Sequence, residues 1–66
     1  MSVAKVIEIS STSKSSFEDA VRDGVAKASE TVKDIRSGWV SEMKVEVEDG
    51  KVTKYQVNMR LTFVVG

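Results

Sequence analysis

Few residues in this chain have chemistry to offer. Trp39 is the sole tryptophan, an indole suited to stacking on a planar ligand or to packing against another subunit. Gln56 presents an amide donor and an amide acceptor, and Arg60 and Lys54 supply cations nearby in sequence. Glu42, Glu46, Glu48 and Asp49 place carboxylates around one expected turn, but calcium asks for six to eight oxygens and no EF-hand spacing is present. Lys44 and Lys51 are close enough to pair with these acids, so a solvated or salt-bridged surface is the expectation there. The hydroxyl-rich stretch from Ser10 to Ser16 precedes a helix start, where anions are favoured, yet it lacks a glycine-rich cradle and reads as capping. Cysteine and histidine are absent, which removes the ordinary zinc site and the usual nucleophile–base pairs. No general acid and base are gathered together, so no catalytic residue is assigned and a non-enzyme is expected.

Ten basic and ten acidic residues are interspersed along the chain, giving no basic face for nucleic acid. Every apolar run is too short to span a membrane. The opening MSVAKVIEIS has no apolar core followed by a cleavage site, so a cytoplasmic protein is expected.

These groups must be positioned by very little structure. Val3 to Ser10 mixes β-branched residues with Lys5 and Glu8 and reads as a first strand. Ser13 is a candidate N-cap, with Ser15-Ser16-Phe17-Glu18 offering a capping box slightly later. Phe17, Ala20, Val21, Gly24, Ala28, Val32 and Ile35 recur every three or four residues, which predicts an amphipathic helix of about twenty residues. The small residues in mid-stripe would let its axis approach a sheet closely.

Beyond Gly38 the period becomes two, and Asp49-Gly50 is a strong type I′ hairpin signal joining strands over about 37–48 and 51–65. Unbroken pairing from that turn sets Trp39 opposite Arg60 and Gln56 opposite Met43. It also separates two faces. Val40, Tyr55, Val57, Met59, Leu61, Phe63 and Val65 form one that can receive the helix. Ser37, Trp39, Ser41, Met43, Val45 and Val47, with Val52, Lys54, Gln56, Asn58, Arg60 and Thr62, form the other. A bulge would exchange the faces beyond it.

The expected architecture is therefore α+β: a β-α-β-β unit over 1–66, with a three-stranded antiparallel sheet and one amphipathic helix packed on one face. A chain of 66 residues without disulfide or metal has a thin core. Association with copies of itself is the staple left, and the Trp39 face, apolar at Met43, Val45 and Val47, is the surface expected to need a partner.

The order of these pieces resembles the dodecins: Lys5-Val6-Ile7-Glu8-Ile9, Ser11-Thr12-Ser13, Ser16-Phe17-Glu18-Asp19-Ala20-Val21, Ala28-Ser29-Glu30-Thr31-Val32, the Asp-Gly hairpin and Tyr55-Gln56-Val57. The resemblance implies a homododecamer forming a hollow sphere. It also implies non-catalytic storage of flavin, as FMN or riboflavin, between tryptophans of neighbouring subunits and against a glutamine. Gln56 falls on the glutamine. Aligning through Ala28 to Val32 without gaps sets Ser37 at the stacking position and Trp39 two residues later, roughly 6–7 Å along the strand. The flavin-binding expectation thus rests on Trp39, Gln56, Ser37 and Arg60. The alternative, with precedent among dodecin-like proteins, is an assembly that binds calcium, another small ligand or nothing.

Overall fold

A computed structural model describes residues 3–66; Met1 and Ser2, the first two of the expected 1–66 unit, lie outside the described residues. The order is β1 (Val3–Ser13), α1 (Phe17–Ala28), β2 (Ile35–Glu48) and β3 (Lys51–Val65). All three strands are antiparallel in one sheet of order β1-β3-β2. The β-α-β-β expectation is met, with β1 running three residues further than its sequence pattern indicates.

That extension moves the helix start. The cap is Ser16, whose backbone is extended and whose Oγ accepts from the Asp19 N–H at 2.9 Å. Ser13 is not the cap. Its buried hydroxyl accepts from the Ser15 N–H at 2.9 Å and donates to Asp19 Oδ2 at 2.8 Å, tying the end of β1 to the first turn of α1. Glu18 and Asp19 add negative charge where the helix dipole favours it.

The helix is 12 residues long instead of about twenty. Val32 and Ile35 keep helical spacing but leave the helix. After Ala28 the Thr31 hydroxyl donates to the Ala28 carbonyl at 3.4 Å, the local side-chain bonding by which hydroxyl residues compete with helix. Asp34, at φ 60, then turns the chain in the left-handed region, where Asp is tolerated. The Val64 N–H donates to the Asp34 carbonyl at 3.1 Å, and Ile35 follows as the first residue of β2.

The hairpin turn has the geometry its residues suit, with Asp49 at φ 52 and Gly50 at φ 76. Pairing from it is not unbroken. The register shifts at Thr53 on β3, again at Ser41 on β2, and at Arg36. Outside the segment between Thr53 and Ser41 the expected partners hold, Val47 with Val52 and Trp39 with Arg60; inside it Met43 faces Val57 and Lys44 faces Gln56.

Facing residues share a side of the sheet. The Ser41 bulge therefore corrects the face assignment: Met43, Val45 and Val47 lie on the helix side, and Glu42, Lys44 and Glu46 on the Trp39 side. Ser41 steadies the bulge by donating from Oγ to the Asn58 carbonyl at 3.1 Å.

The core lies between α1 and β1/β3. Ala20, Val57, Met59 and Leu61 are fully buried, flanked by Ile7, Ile9, Phe17, Val21, Val25, Ala28, Ile35 and Val40. Phe17 meets Tyr55 edge to face at 5.1 Å. Twelve helical residues reach only about 18 Å, whereas the subunit is 52 Å long. The hairpin end is consequently bare on its apolar side, with Met43 57% and Val47 61% exposed.

Gly24 sits where α1 comes closest to the sheet. A Cβ there would stand 2.8 Å from Met59 Cε and 2.9 Å from Ser11 Cβ. Gly24→Ala should therefore lower the urea midpoint at fixed protein concentration: overpacking of about 1–3 kcal/mol outweighs the roughly 1 kcal/mol gained in helix propensity. A raised midpoint would mean the close approach is not needed.

Candidate functional site

The side chains singled out from sequence share one surface. On β3, Lys54, Gln56, Asn58, Arg60 and Thr62 alternate with the buried Val57, Met59 and Leu61, so they point away from α1. Their β2 partners, Ser37 opposite Thr62 and Trp39 opposite Arg60, lie on this face too. No register shift falls between Ser37 and Trp39. Nothing in the strand restores the indole to the Ser37 position, and the two side chains stand roughly 6–7 Å apart along β2.

Trp39 and Arg60 are in contact, with the guanidinium carbon 5.5 Å from the indole centroid. The row continues onto β1, where Glu8 pairs with Arg60 in register and its Oε2 lies 3.6 Å from Arg60 Nε. This leaves an indole 66% exposed. One side of the ring is engaged by a cation whose own charge is partly met by a carboxylate.

Gln56 is not next to Trp39. It lies four residues from Arg60 on β3, about 13 Å along the strand. Its Nε2 donates to Asn58 Oδ1 at 3.4 Å, and Asn58 Nδ2 donates to Glu42 Oε1 at 3.1 Å. Glu42, Met43, Lys44, Gln56 and Asn58 line a shallow recess of about 60 Å³. Within one subunit the structure thus brings Trp39 to Arg60 and Gln56 to Asn58, but does not bring these two pairs together. A ligand touching both must extend along the face or lie between subunits.

Three partners were not singled out as such from sequence. Asn58 and Glu42 meet because the Ser41 bulge pairs them, and a bulge at serine has no sequence mark. Glu8 meets Arg60 through the β1–β3 register, which the strand's pattern alone does not fix. Among the described residues no three acidic side chains gather as a metal-holding group. No helix is long and apolar enough to cross a membrane among the described residues.

The family model described as dodecin matches residues 3–66. The chain is 41% identical over 64 residues to a protein named calcium dodecin from Mycobacterium tuberculosis, covering 96% of this chain and 89% of that one. The crystal structure of a calcium-chelating antigen, calcium dodecin, from the same organism superposes with a TM-score of 0.81 at 37% identity, covering 92% of this chain and 87% of the other. A dodecin from Streptomyces davaonensis superposes with a TM-score of 0.93 at 28% identity, covering 98% and 96%.

The Trp39–Arg60 contact is exposed, so its removal should be mild. Arg60→Met is expected to alter the Trp39 emission spectrum and to cost under about 1 kcal/mol in denaturant unfolding. A loss above about 2 kcal/mol would show that the pair is buried in the protein as it exists in solution.

Proposed function

The chain belongs to the dodecin family, and on that premise we propose that it is a non-catalytic subunit of a homo-oligomeric shell that holds a flavin-type ring against Trp39. The supporting observation is the exposed indole on the sheet face that α1 leaves uncovered. A planar aromatic can stack on the free side of that ring while Arg60 backs the other, and offset stacking is the arrangement that aromatic quadrupoles favour. Gln56, about 13 Å along the same face, can pair with the polar edge of a ring held between two subunits.

Ser37 carries no aromatic ring, so the residues do not fit a flavin sandwiched at that position. They fit one displaced toward Trp39. Arg60 would then set the preference between flavins, since its guanidinium suits a phosphate group and would favour FMN over riboflavin. Assembly is supported by the bare apolar side of the hairpin and by a core too small to leave that side in water. The dodecameric count and a cytoplasmic role in storing or buffering flavin remain part of this proposal and follow from the family resemblance.

Calcium is the second reading, favoured by the likeness in sequence and in structure to calcium dodecin from Mycobacterium tuberculosis. One subunit does not fit the ion, lacking a gathered set of three acids among its described residues. Backbone or amide carbonyls, water, or carboxylates from neighbouring copies would have to complete the six to eight oxygens that the ion takes.

Titration with FMN and riboflavin separates the readings. Flavin emission is expected to be quenched at micromolar protein, with Trp39→Ala weakening binding by about tenfold or more while the assembly mass is retained. Unchanged flavin emission, together with heat released on adding calcium, would replace the flavin reading with the calcium one.

A further inference from the structure

The hydrogen bonds that join Glu42, Asn58 and Gln56 can run in only one direction while Glu42 is ionised. Glu42 is the first residue beyond the Ser41 bulge and faces Asn58 in register. An ionised carboxylate accepts and never donates. The Asn58 group that meets Glu42 Oε1 at 3.1 Å is therefore Nδ2, which leaves Asn58 Oδ1 turned toward Gln56. That oxygen accepts in its turn, so the Gln56 group that meets it at 3.4 Å is Nε2. One hydrogen of Nε2 is thereby used. Oε1 and the second Nε2 hydrogen are the pair that Gln56 presents to whatever lies over the face.

An amide beside an amide has no such preference, because each carries a donor and an acceptor and the two can run either way. The carboxylate at the end of the row is what gives it a sense. Lys44, which faces Gln56 in register, carries donors only and so does not draw the amide nitrogen the other way. Asn58 is itself steadied through its backbone, whose carbonyl accepts from Ser41 Oγ at 3.1 Å. Gln56 and Asn58 are half-buried in the recess of about 60 Å³, and partial shelter from water strengthens a hydrogen-bonded row.

We infer that Glu42 and Asn58 are positioning residues for Gln56, holding its amide with the oxygen outward so that the face selects a ring edge bearing an N–H beside a C=O. The inference rests on the flavin reading above, and it adds which residues decide how the ring edge is read. An edge with a methyl group in place of the N–H leaves Oε1 without a donor. A polar atom left unpaired on binding lowers affinity by about fivefold or more.

Riboflavin and 3-methylriboflavin, which differ at that N–H, test it by flavin quenching. The unmodified protein is expected to prefer riboflavin. Glu42→Lys replaces an acceptor by donors and should turn Asn58 round, so that its Nδ2 meets Gln56 Oε1 and the oxygen is withdrawn from the ligand. The preference for riboflavin should then fall by about fivefold or more, with circular dichroism unchanged. Adding Asn58→Asp supplies a carboxylate that accepts from both the new ammonium and Gln56 Nε2. The preference should return, although residue 42 stays a lysine. A packing or simple charge effect at residue 42 would not be reversed in this way. Glu42→Gln serves if Glu42→Lys unfolds, with a smaller loss in the same direction that Asn58→Asp again reverses. An unmodified protein that binds both flavins equally, a folded Glu42 variant with the original preference, or a double variant that fails to regain it overturns the positioning role. An unmodified protein that quenches neither flavin overturns the flavin reading and this inference with it.

Discussion

The helix is too short for its sheet, and most of what is distinctive about this subunit follows from that mismatch. Twelve residues of α1 cover β1 and β3 near Met59 and Leu61, while the hairpin runs on toward Asp49 with nothing above it. Burial of apolar surface is the main favourable term in folding. Met43, Val45, Val47 and Val52 are left exposed, an apolar surface of the kind that association would bury.

The second constraint is the bulge at Ser41. A single unpaired residue transfers three apolar side chains to the helix side and leaves the Trp39 face polar, with Glu42, Lys44 and Glu46 beside Asn58, Gln56 and Lys54. The exposed apolar residues of the hairpin and the exposed indole thereby lie on opposite sides of the sheet. A polar face bearing one exposed indole suits a small, reversible ligand better than a dry subunit interface. Arg60 and Glu8 hold charge beside the indole without burying it.

Much of this was legible from residue types and spacing. The β-α-β-β order and the Asp49-Gly50 turn each follow from a local rule, period and turn chemistry, whereas the pairing of Trp39 with Arg60 counted from the turn holds only because the shifts at Thr53 and Ser41 cancel. The errors fall where a local rule had a competitor. Helical spacing runs on through Val32 and Ile35 because both are apolar, Ile35 for its place at the start of β2, but the helix ends at Ala28 and Asp34 turns the chain into β2 in the left-handed region. Ser13 looked like a cap because it is a serine before a helix, and it is used instead one step back, holding the turn that presents Ser16. Strand pairing is the least visible of all, since Ser41 differs in nothing from a serine in regular sheet. The partnerships of Glu42 with Asn58 and of Glu8 with Arg60 depend on it and on the β1 register.

The claim on which everything else stands is that this chain does not complete its fold alone. Sedimentation of the unmodified protein across a dilution series to low micromolar concentration tests it most directly. A folded species with the mass of several chains, persisting on dilution, is the expected result. A species with native-like circular dichroism and the mass of one chain would contradict it.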